Sequence, residues 1–521
     1  MSQQQTSLTI AAPGFGGLNT EVAQTEQNSS YASVADNCVI DKYGRVGSRK
    51  GFQNNTTTPV ADPLTSIHTF KGTDGAEIVF TAGGTSIYKG VVAPTNITPA
   101  GTITDSNWQM MTLNNNVYMI QEGHDPLVYT HISDSGEDEG TLAVNTTSMP
   151  RAQCGTSAYG RIWLANCDDD NHQVVYWSQR INGENFNIAS GDGGDTGAEG
   201  GSINVALYWP TGYDEIQALA SHNGRLVIFG KDNILIYAQA EGWPAATKEA
   251  GGMYLEDSIR GIGCIARDTV QSTGTDVIFL DSSGLRSLGR VIQEKSAPIG
   301  EISANVRTEL SSAMLRRSDN ALVKSVFMPE ERLYVLINTS GTAIVFETSV
   351  TDPQSGGMRA TRWVGLTATA GSYNNGSTLF ADTGGVITEY AGYADKGEAY
   401  RMSYYTHFLS FGDSARIKAP KKIYFTMVTG AAVQMSTFWG FDYQNSSNNS
   451  AIIIPSQGKP AEFGIAEYNV GTYGGGVSTF RKAVNVTGKG TTLQVGIELP
   501  VANEAFSLQE ITIKTLLGRT I

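Results

Sequence analysis

The stretch Ile216-Gln-Ala-Leu-Ala-Ser-His-Asn-Gly-Arg-Leu-Val-Ile-Phe229, continued by Ile234-Leu-Ile-Tyr237, decides how the rest of the chain is read. Apolar residues alternate on both sides of Asn223-Gly224, and both of these residues tolerate the positive φ that a two-residue hairpin turn needs. A third apolar run follows at once, so the segment reads as successive antiparallel strands. Working outward, the same plan of alternation, Gly/Asn/Asp turn, alternation and polar spacer recurs. Before it lie Ile67 and Phe70 with Ile78-Val-Phe80 and the Gly83-Gly84 turn, then Trp108 and Met110 with Asn114-Asn-Asn116 and Val117-Tyr-Met-Ile120, then Tyr159-Gly-Arg-Ile-Trp-Leu164 with Val174-Val-Tyr-Trp177. After it come Cys264-Ile265 with Val277-Ile-Phe-Leu280 and the turn Asp281-Ser-Ser-Gly284, then Leu333-Tyr-Val-Leu-Ile337 with Ile344-Val-Phe346, and a last unit beginning at Trp363 with the turn Asn375-Gly376.

The unit starts lie roughly 40 to 60 residues apart, the scale of a four-stranded propeller blade. Such a unit cannot bury both faces alone, whereas a closed ring buries each against its neighbours. The expectation is an all-β fold: an N-terminal arm and entry segment over residues 1–60, a β-propeller of six to eight blades over 61–395, and a C-terminal β-sandwich over 396–521. In that last part the alternation continues through Tyr404–Phe411, Ile423–Met427, Val433–Phe438, Leu493–Leu499 and Ile511–Ile513 without the repeat. The alternative is a set of unrelated hairpins shared among two or three sandwiches. One segment departs from strand periodicity: Ile302, Val306, Leu310 and Met314 recur every fourth residue and predict a helix over 301–317, decorated by Arg307, Arg316 and Arg317. Residues 445–450 and 474–476 read as loops.

Composition agrees with this reading. Of 521 residues, 59 are glycine and only 17% are charged, which excludes a disordered, highly charged chain. The net charge of −14, from 36 basic and 50 acidic side chains, argues against indiscriminate coating of nucleic acid. No run of apolar residues is long enough for a transmembrane helix, and the opening Met1-Ser-Gln-Gln-Gln5 lacks the plan of a signal peptide. The expectation is therefore no membrane span and synthesis in a cytoplasm. Cys38, Cys154, Cys167 and Cys264 contain no CxxC pair and read as buried thiols, with Cys154 and Cys167 placed where a hairpin could bring them face to face.

The search for chemistry is negative. His68, His124, His131, His172, His222 and His407 show no metal-ligand spacing, and neither a phosphate-cradling GxxxxGK[ST] loop nor a GxSxG elbow occurs. The acidic clusters Glu137-Asp-Glu139, Asp168-Asp-Asp170 and Asp192, Asp195, Glu199 have carboxylates enough for calcium but no EF-hand or RTX spacing, so solvated loops are the better reading. The expectation is no enzyme, no cofactor, and no catalytic or metal residue.

The segment Ala35-Asp-Asn-Cys-Val-Ile-Asp-Lys-Tyr-Gly-Arg-Val-Gly-Ser-Arg-Lys-Gly-Phe52, preceded by Gly17-Leu-Asn-Thr20, carries the pattern N-x-x-x-D-x-x-G-x-x-x-x-R-x-G at Asn37, Asp41, Gly44, Arg49 and Gly51. Tyr159-Gly-Arg-Ile-Trp163, Asn223-Gly-Arg-Leu-Val-Ile-Phe229, Phe279-Leu-Asp-Ser-Ser-Gly-Leu285, Tyr405-Thr-His407, Lys421-Lys422 and Phe441-Asp-Tyr443 follow in order. This succession resembles the tail nozzle (tail tubular, DNA-stabilisation type) structural proteins of short-tailed bacteriophages. The resemblance implies a hexameric homo-oligomeric ring below the portal and adaptor of a virion tail. Such a ring retains the packaged genome, conducts double-stranded DNA during ejection, neighbours tail fibres or spikes, and is assembled in the bacterial host cytoplasm. It supplies no catalytic residue and leaves the five pattern residues as structural or interface candidates. The segment before residue 60 and the C-terminal domain are the candidate patches for ring contacts. A rival reading is a tail protein that binds host glycan or receptor, with Trp163, Trp177 and Trp439 stacking on sugars. A propeller glycosidase is a third, and it lacks the SxDxGxxW box that recurs in sialidase propellers.

Overall fold

The computed structural model describes the chain apart from residues 1–4, 24–27, 100–102, 104–106, 135–136, 139, 147, 169–170, 188–199, 240–252, 294–300, 316–322, 339–340, 352–355, 431, 445–447, 455–477, 503 and 521. It is nearly all β, with 59% of residues in strands and 5% in helices, arranged in many small antiparallel sheets. The hairpins form where the turn chemistry puts them. Asn223 and Gly224 have φ of 48° and 75°, Asn375 and Gly376 of 45° and 92°, and the flanking strands pair across both turns. No helix among the described residues is long and apolar enough to cross a membrane.

The first sheet holds Leu64–Lys71, Glu77–Gly83, Ser86–Lys89 and Thr95–Asn96, and the second Gln109–Leu113, Asn116–Ile120, Leu127–Thr130 and Thr141–Val144. The third is Ala152–Ala158, Arg161–Cys167, Asn171–Trp177 and Gly201–Asn204, and the fourth Ile216–His222, Arg225–Gly230, Asn233–Gln239 and Met253–Arg260. A fifth, with Gln271–Ser272, Val277–Asp281 and Gly284–Ser287, has three strands. The run Val323–Met328, Leu333–Asn338, Thr342–Thr351 and Met358–Val364 continues into a larger sheet, and Ala368–Asn374, Ser377–Asp382 and Ile387–Tyr390 are completed by Phe52–Asn54 from the other end of the chain. Leading strands of successive sheets touch one another, except that Ile216–His222 meets the fifth sheet through the turn Arg267–Thr269, and Ala368–Asn374 packs on Leu64–Lys71. Each apolar cluster joins neighbours; Leu64, Val79 and Tyr88, for example, share one with Ala370, Leu379 and Ile387.

Residues 396–521 fold with the chain's beginning. Strands Ser478–Asn485, Arg416–Thr429 and Phe506–Thr520 form one sheet to which Gln5–Ala11, Val46–Ser48 and Cys38–Ile40 add. Tyr31–Asp36 pairs with Tyr400–Thr406 on one side and meets Met358–Val364 on the other, so a ten-stranded sheet runs across the sequence boundary at residue 395. Ile423, Phe425, Met427, Ile511 and Ile513 face Met435, Trp439, Val495 and Ile497 of that sheet in one core. The segment read from sequence as an arm is thus woven into three sheets.

Several local expectations are corrected. Trp363 belongs to the strand Met358–Val364 and not to the unit that follows; it stacks on Tyr390 at 5.2 Å, so its apolar character points to the next sheet and blurs the boundary. Cys264-Ile265 is not a strand, and the turn Arg267–Thr269 takes its place. Cys154 lies opposite Ala165 and Cys167 opposite Ala152, so the two thiols do not face each other. Residues 448–450, read as loop, open the strand Asn448–Ile454, whereas 445–447 and 474–476 lie outside the described residues. The helical stretch is short and irregular, with turns at Ala304–Val306, Arg307–Leu310 and Ser311–Leu315, but Ile302, Val306, Leu310 and Met314 are all buried as its periodicity requires. Arg307 pairs with Glu301, and Arg316 and Arg317 are outside the described residues.

A polar hub ties the leading strands together. Arg267 donates to Asp268 at 2.9 Å, to the Gln153 carbonyl at 2.5 Å and to the Asn107 carbonyl at 3.1 Å. Lys324 reaches Asp268 at 3.4 Å and Ser66 at 3.2 Å, and the Tyr334 hydroxyl donates to the Thr269 carbonyl at 2.7 Å. Burial would raise the Asp268 carboxyl, but the Arg267 and Lys324 charges outweigh it and hold the group at about 2. Nearby, burial pulls His68, bonded to Thr112 at 2.8 Å, down to about 4.

Both shifts make the unfolded chain the better proton acceptor, so acid destabilises the fold in two steps. The His68 contribution is complete above about 6.5 and lost towards 4; that of Asp268 is complete above about 4 and lost towards 2. Denaturant unfolding at pH 7 and pH 5 is expected to show a loss of about 2 kcal/mol from His68 that is absent in His68→Gln. Asp268→Ala, which leaves two buried cations facing no carboxylate, is expected to cost about 3 to 5 kcal/mol at pH 7.

Candidate functional site

Three of the five pattern residues, Asn37, Arg49 and Gly51, meet at one junction between the early hairpin, the strand Ile387–Tyr390 with its following turn, and Tyr400–Thr406, while Asp41 and Gly44 shape the turn of that hairpin. Asn37 has φ of 54°, a left-handed conformation that asparagine tolerates. Its side chain donates to the Arg401 carbonyl at 2.8 Å and accepts from Val364 N at 3.1 Å and Arg49 Nε at 3.0 Å. Asp41 closes the hairpin between Cys38–Ile40 and Val46–Ser48: its carboxylate accepts from Tyr43 N and Arg45 N, both at 2.9 Å, and from Arg45 Nε at 2.7 Å. Gly44 completes that turn at φ of 71°, where a Cβ would stand 2.5 Å from Pro13.

Arg49 is the centre of the junction and is 1% exposed. Its guanidinium grips Asp395 with two bonds of 2.8 and 2.6 Å and lies 4.0 Å over the Tyr400 ring. Asp395 also accepts from Phe52 N at 3.1 Å, at the start of the strand that completes the Ile387–Tyr390 sheet. The Tyr400 hydroxyl donates to the Arg49 carbonyl, and burial pushes the Tyr400 phenol well above its ordinary range, so it stays a donor. At Gly51 a Cβ would sit 2.0 Å from the Ala394 carbonyl oxygen, and the flanking backbone bonds to Gly392 and Ala391. Every pattern residue therefore acts on packing or backbone geometry.

An open cavity of about 380 Å³ adjoins this junction, walled by Asp41, Arg45, Lys50, Glu331, Glu347 and Tyr390 among others. Within it Asp41 is paired with Arg45 and Lys50 with Glu331. No group of three or more metal-ligating side chains occurs among the described residues. His131 instead pairs with Asp74 at 2.9 Å. Glu137-Asp138 lies in a two-residue strand paired with Ser133-Asp134, while residues 169–170, 192, 195 and 199 of the acidic clusters are outside the described residues. Trp163, Trp177 and Trp439 are 2%, 3% and 4% exposed, so none offers a ring face to a sugar.

Sequence reasoning missed Asp395 as the partner of Arg49, because nothing local marks it. It also missed the Arg267, Asp268 and Lys324 hub, although an adjacent Arg-Asp pair at a strand start was visible.

No protein-family profile and no curated protein matches the chain. Among solved structures, the crystal structure of the computationally designed Ika8 protein is similar at a TM-score of 0.32 and 11% identity, over 65% of this chain and 99% of that one. A likeness at that level carries no argument.

Because Arg49 is the buried partner of Asp395, Arg49→Met is expected to destabilise the chain by about 3 to 5 kcal/mol in denaturant unfolding. Lysine, a point charge without the two-pronged geometry, is expected to recover only part of this. Gly51→Ala is expected to be destabilising as well, since the obstructing atom is backbone.

Proposed function

We propose that the chain is a structural subunit of the virion tail of a short-tailed bacteriophage, of the nozzle class, with no catalytic role. In this reading residues 52–395 form a seven-bladed propeller. Its support is the completion of the last sheet by Phe52–Asn54 and the packing of Ala368–Asn374 on Leu64–Lys71. The subunits assemble as a hexameric ring below the portal and adaptor, retain the genome, and pass double-stranded DNA during ejection. Fibres or spikes are the further neighbours, and assembly takes place in the host cytoplasm.

The observation that carries the proposal is the junction: of the five residues through which the sequence resembles the nozzle proteins, Asn37, Arg49 and Gly51 meet there through bonds to each other or to the segment 391–401, and Asp41 and Gly44 build the turn of the hairpin that leads into it. A pattern kept for chemistry would place side chains in a cleft. Here Asn37 and Arg49 sit inside the fold, as a scaffold requires, and Asp41, in the wall of the open cavity, is spent on its own turn and on Arg45. The hub of Arg267, Asp268 and Lys324 ties the leading strands to one another, and the DNA path in this proposal runs between copies and not through one. A ring needs two different patches on each subunit. Since the first sixty residues are woven into the subunit, removing them tests folding and not the interface.

Native mass measurement of the 55.7 kDa chain, with negatively stained images, is the test. The expected result is a closed ring of six copies without hydrolysis of glycans. A monomer or trimer that binds or cleaves glycan would replace this reading with the receptor or glycosidase one.

A further inference from the structure

The sheet of Ser478–Asn485, Arg416–Thr429 and Phe506–Thr520 has one face in the core and one outside. Ile423, Phe425, Met427, Ile511 and Ile513 point inward. The intervening Lys422, Tyr424 and Lys514 therefore share the opposite face, where Thr512 is covered and meets Thr9 of the next strand. In the pairing register Lys422 stands directly across from Lys514, both exposed. Like charges in that position repel. Lys514 Nζ and the Arg481 guanidinium each lie 5.2 Å from the Tyr424 ring centre, one on each neighbouring strand. Lys421, at an irregularity of the same strand, is also exposed. Against these stands Glu510, 3.8 Å from Arg481, too far for a charge-assisted hydrogen bond. Lys422 and Lys514 have no ion-pair partner among the described residues.

In a chain of net charge −14, Lys422, Lys514 and Arg481 on one sheet face, two of them beside Tyr424, are a concentration of positive charge against the overall balance. Opposed lysines reduce stability unless an external anion bridges them. Cations spread along a strand pair suit an extended anion, and a sheet face without a groove-entering element reads backbone and not bases. We propose that this face docks the phosphodiester backbone of double-stranded DNA, with Lys422, Lys514 and Arg481 as its phosphate contacts. The choice of DNA among polyanions rests on the nozzle reading. A few contacts on an otherwise repelling surface give weak, salt-sensitive adhesion, which lets the duplex slide while keeping it oriented to one wall.

The test is fluorescence anisotropy of a labelled random-sequence duplex with the full chain across a salt series, alongside the mass of each variant. Three contacts predict a slope of log K against log salt of about −2.7. Lys422→Glu is expected to weaken binding at low salt by at least about tenfold while holding or raising the thermal midpoint, because it replaces a like-charged cross-strand pair with an opposite one. Lys514→Gln with Arg481→Gln is expected to lower the slope by about 1.8. Unchanged duplex binding in both variants overturns the proposal, as does equal displacement of the duplex by polyglutamate. A ring that forms while binding ignores these substitutions removes the surface and leaves the nozzle reading standing. Patch-dependent binding by a chain that never forms a ring removes the nozzle reading and leaves the surface.

Discussion

The antiparallel pairing of Ile387–Tyr390 with Phe52–Asn54 is the constraint on which the rest of the structure depends. It joins strands from opposite ends of the repeat region, so the chain between them is held as one long closed loop whose entropy cost grows only slowly with length. Once Phe52–Asn54 is placed, the residues before it have little choice. Arg49 is fastened to Asp395, Asn37 to the backbone of Val364 and Arg401, and Tyr31–Asp36 is left spanning the gap between Met358–Val364 and Tyr400–Thr406. A single early segment thereby sets the relation between the repeat sheets and the C-terminal sheets.

Apolar clusters between consecutive sheets supply the bulk driving force, but they are alike in kind and would accept more than one neighbour. The hub at Arg267, Asp268 and Lys324 is less tolerant. Its donors and acceptors come from or beside strands of five sheets, and a misplaced sheet would leave a buried charge without its counter-charge. Affinity between sheets is thus hydrophobic, while their order and spacing are enforced by polar geometry.

Charge is divided in the same way. The acidic balance of the whole chain disfavours anionic partners, while the pairs that matter to the fold, Arg49 with Asp395 and Arg362 with Asp36 and Glu309, are neutralised internally. On the outer face around Tyr424, Lys422 and Lys514 have no ion-pair partner among the described residues.

Strands and turns were legible in the chain because their signals are local. The left-handed preference of Asn and Gly placed the turns at 223–224 and 375–376, and fourfold spacing marked the buried face at Ile302, Val306, Leu310 and Met314. Trp363 was read into the wrong unit because an apolar ring does not declare which neighbour it faces, and the strands at 38–40, 46–48 and 52–54 are too short for periodicity to register. The sequence by itself determined an all-β chain of hairpins and the residues of one junction pattern. Only the tertiary structure decided that Asp395 answers Arg49, that Lys422 faces Lys514, and that the N-terminal segment belongs to three sheets. Period and turn chemistry act within a few residues, whereas pairing partners are chosen by burial and hydrogen bonding between segments hundreds of residues apart.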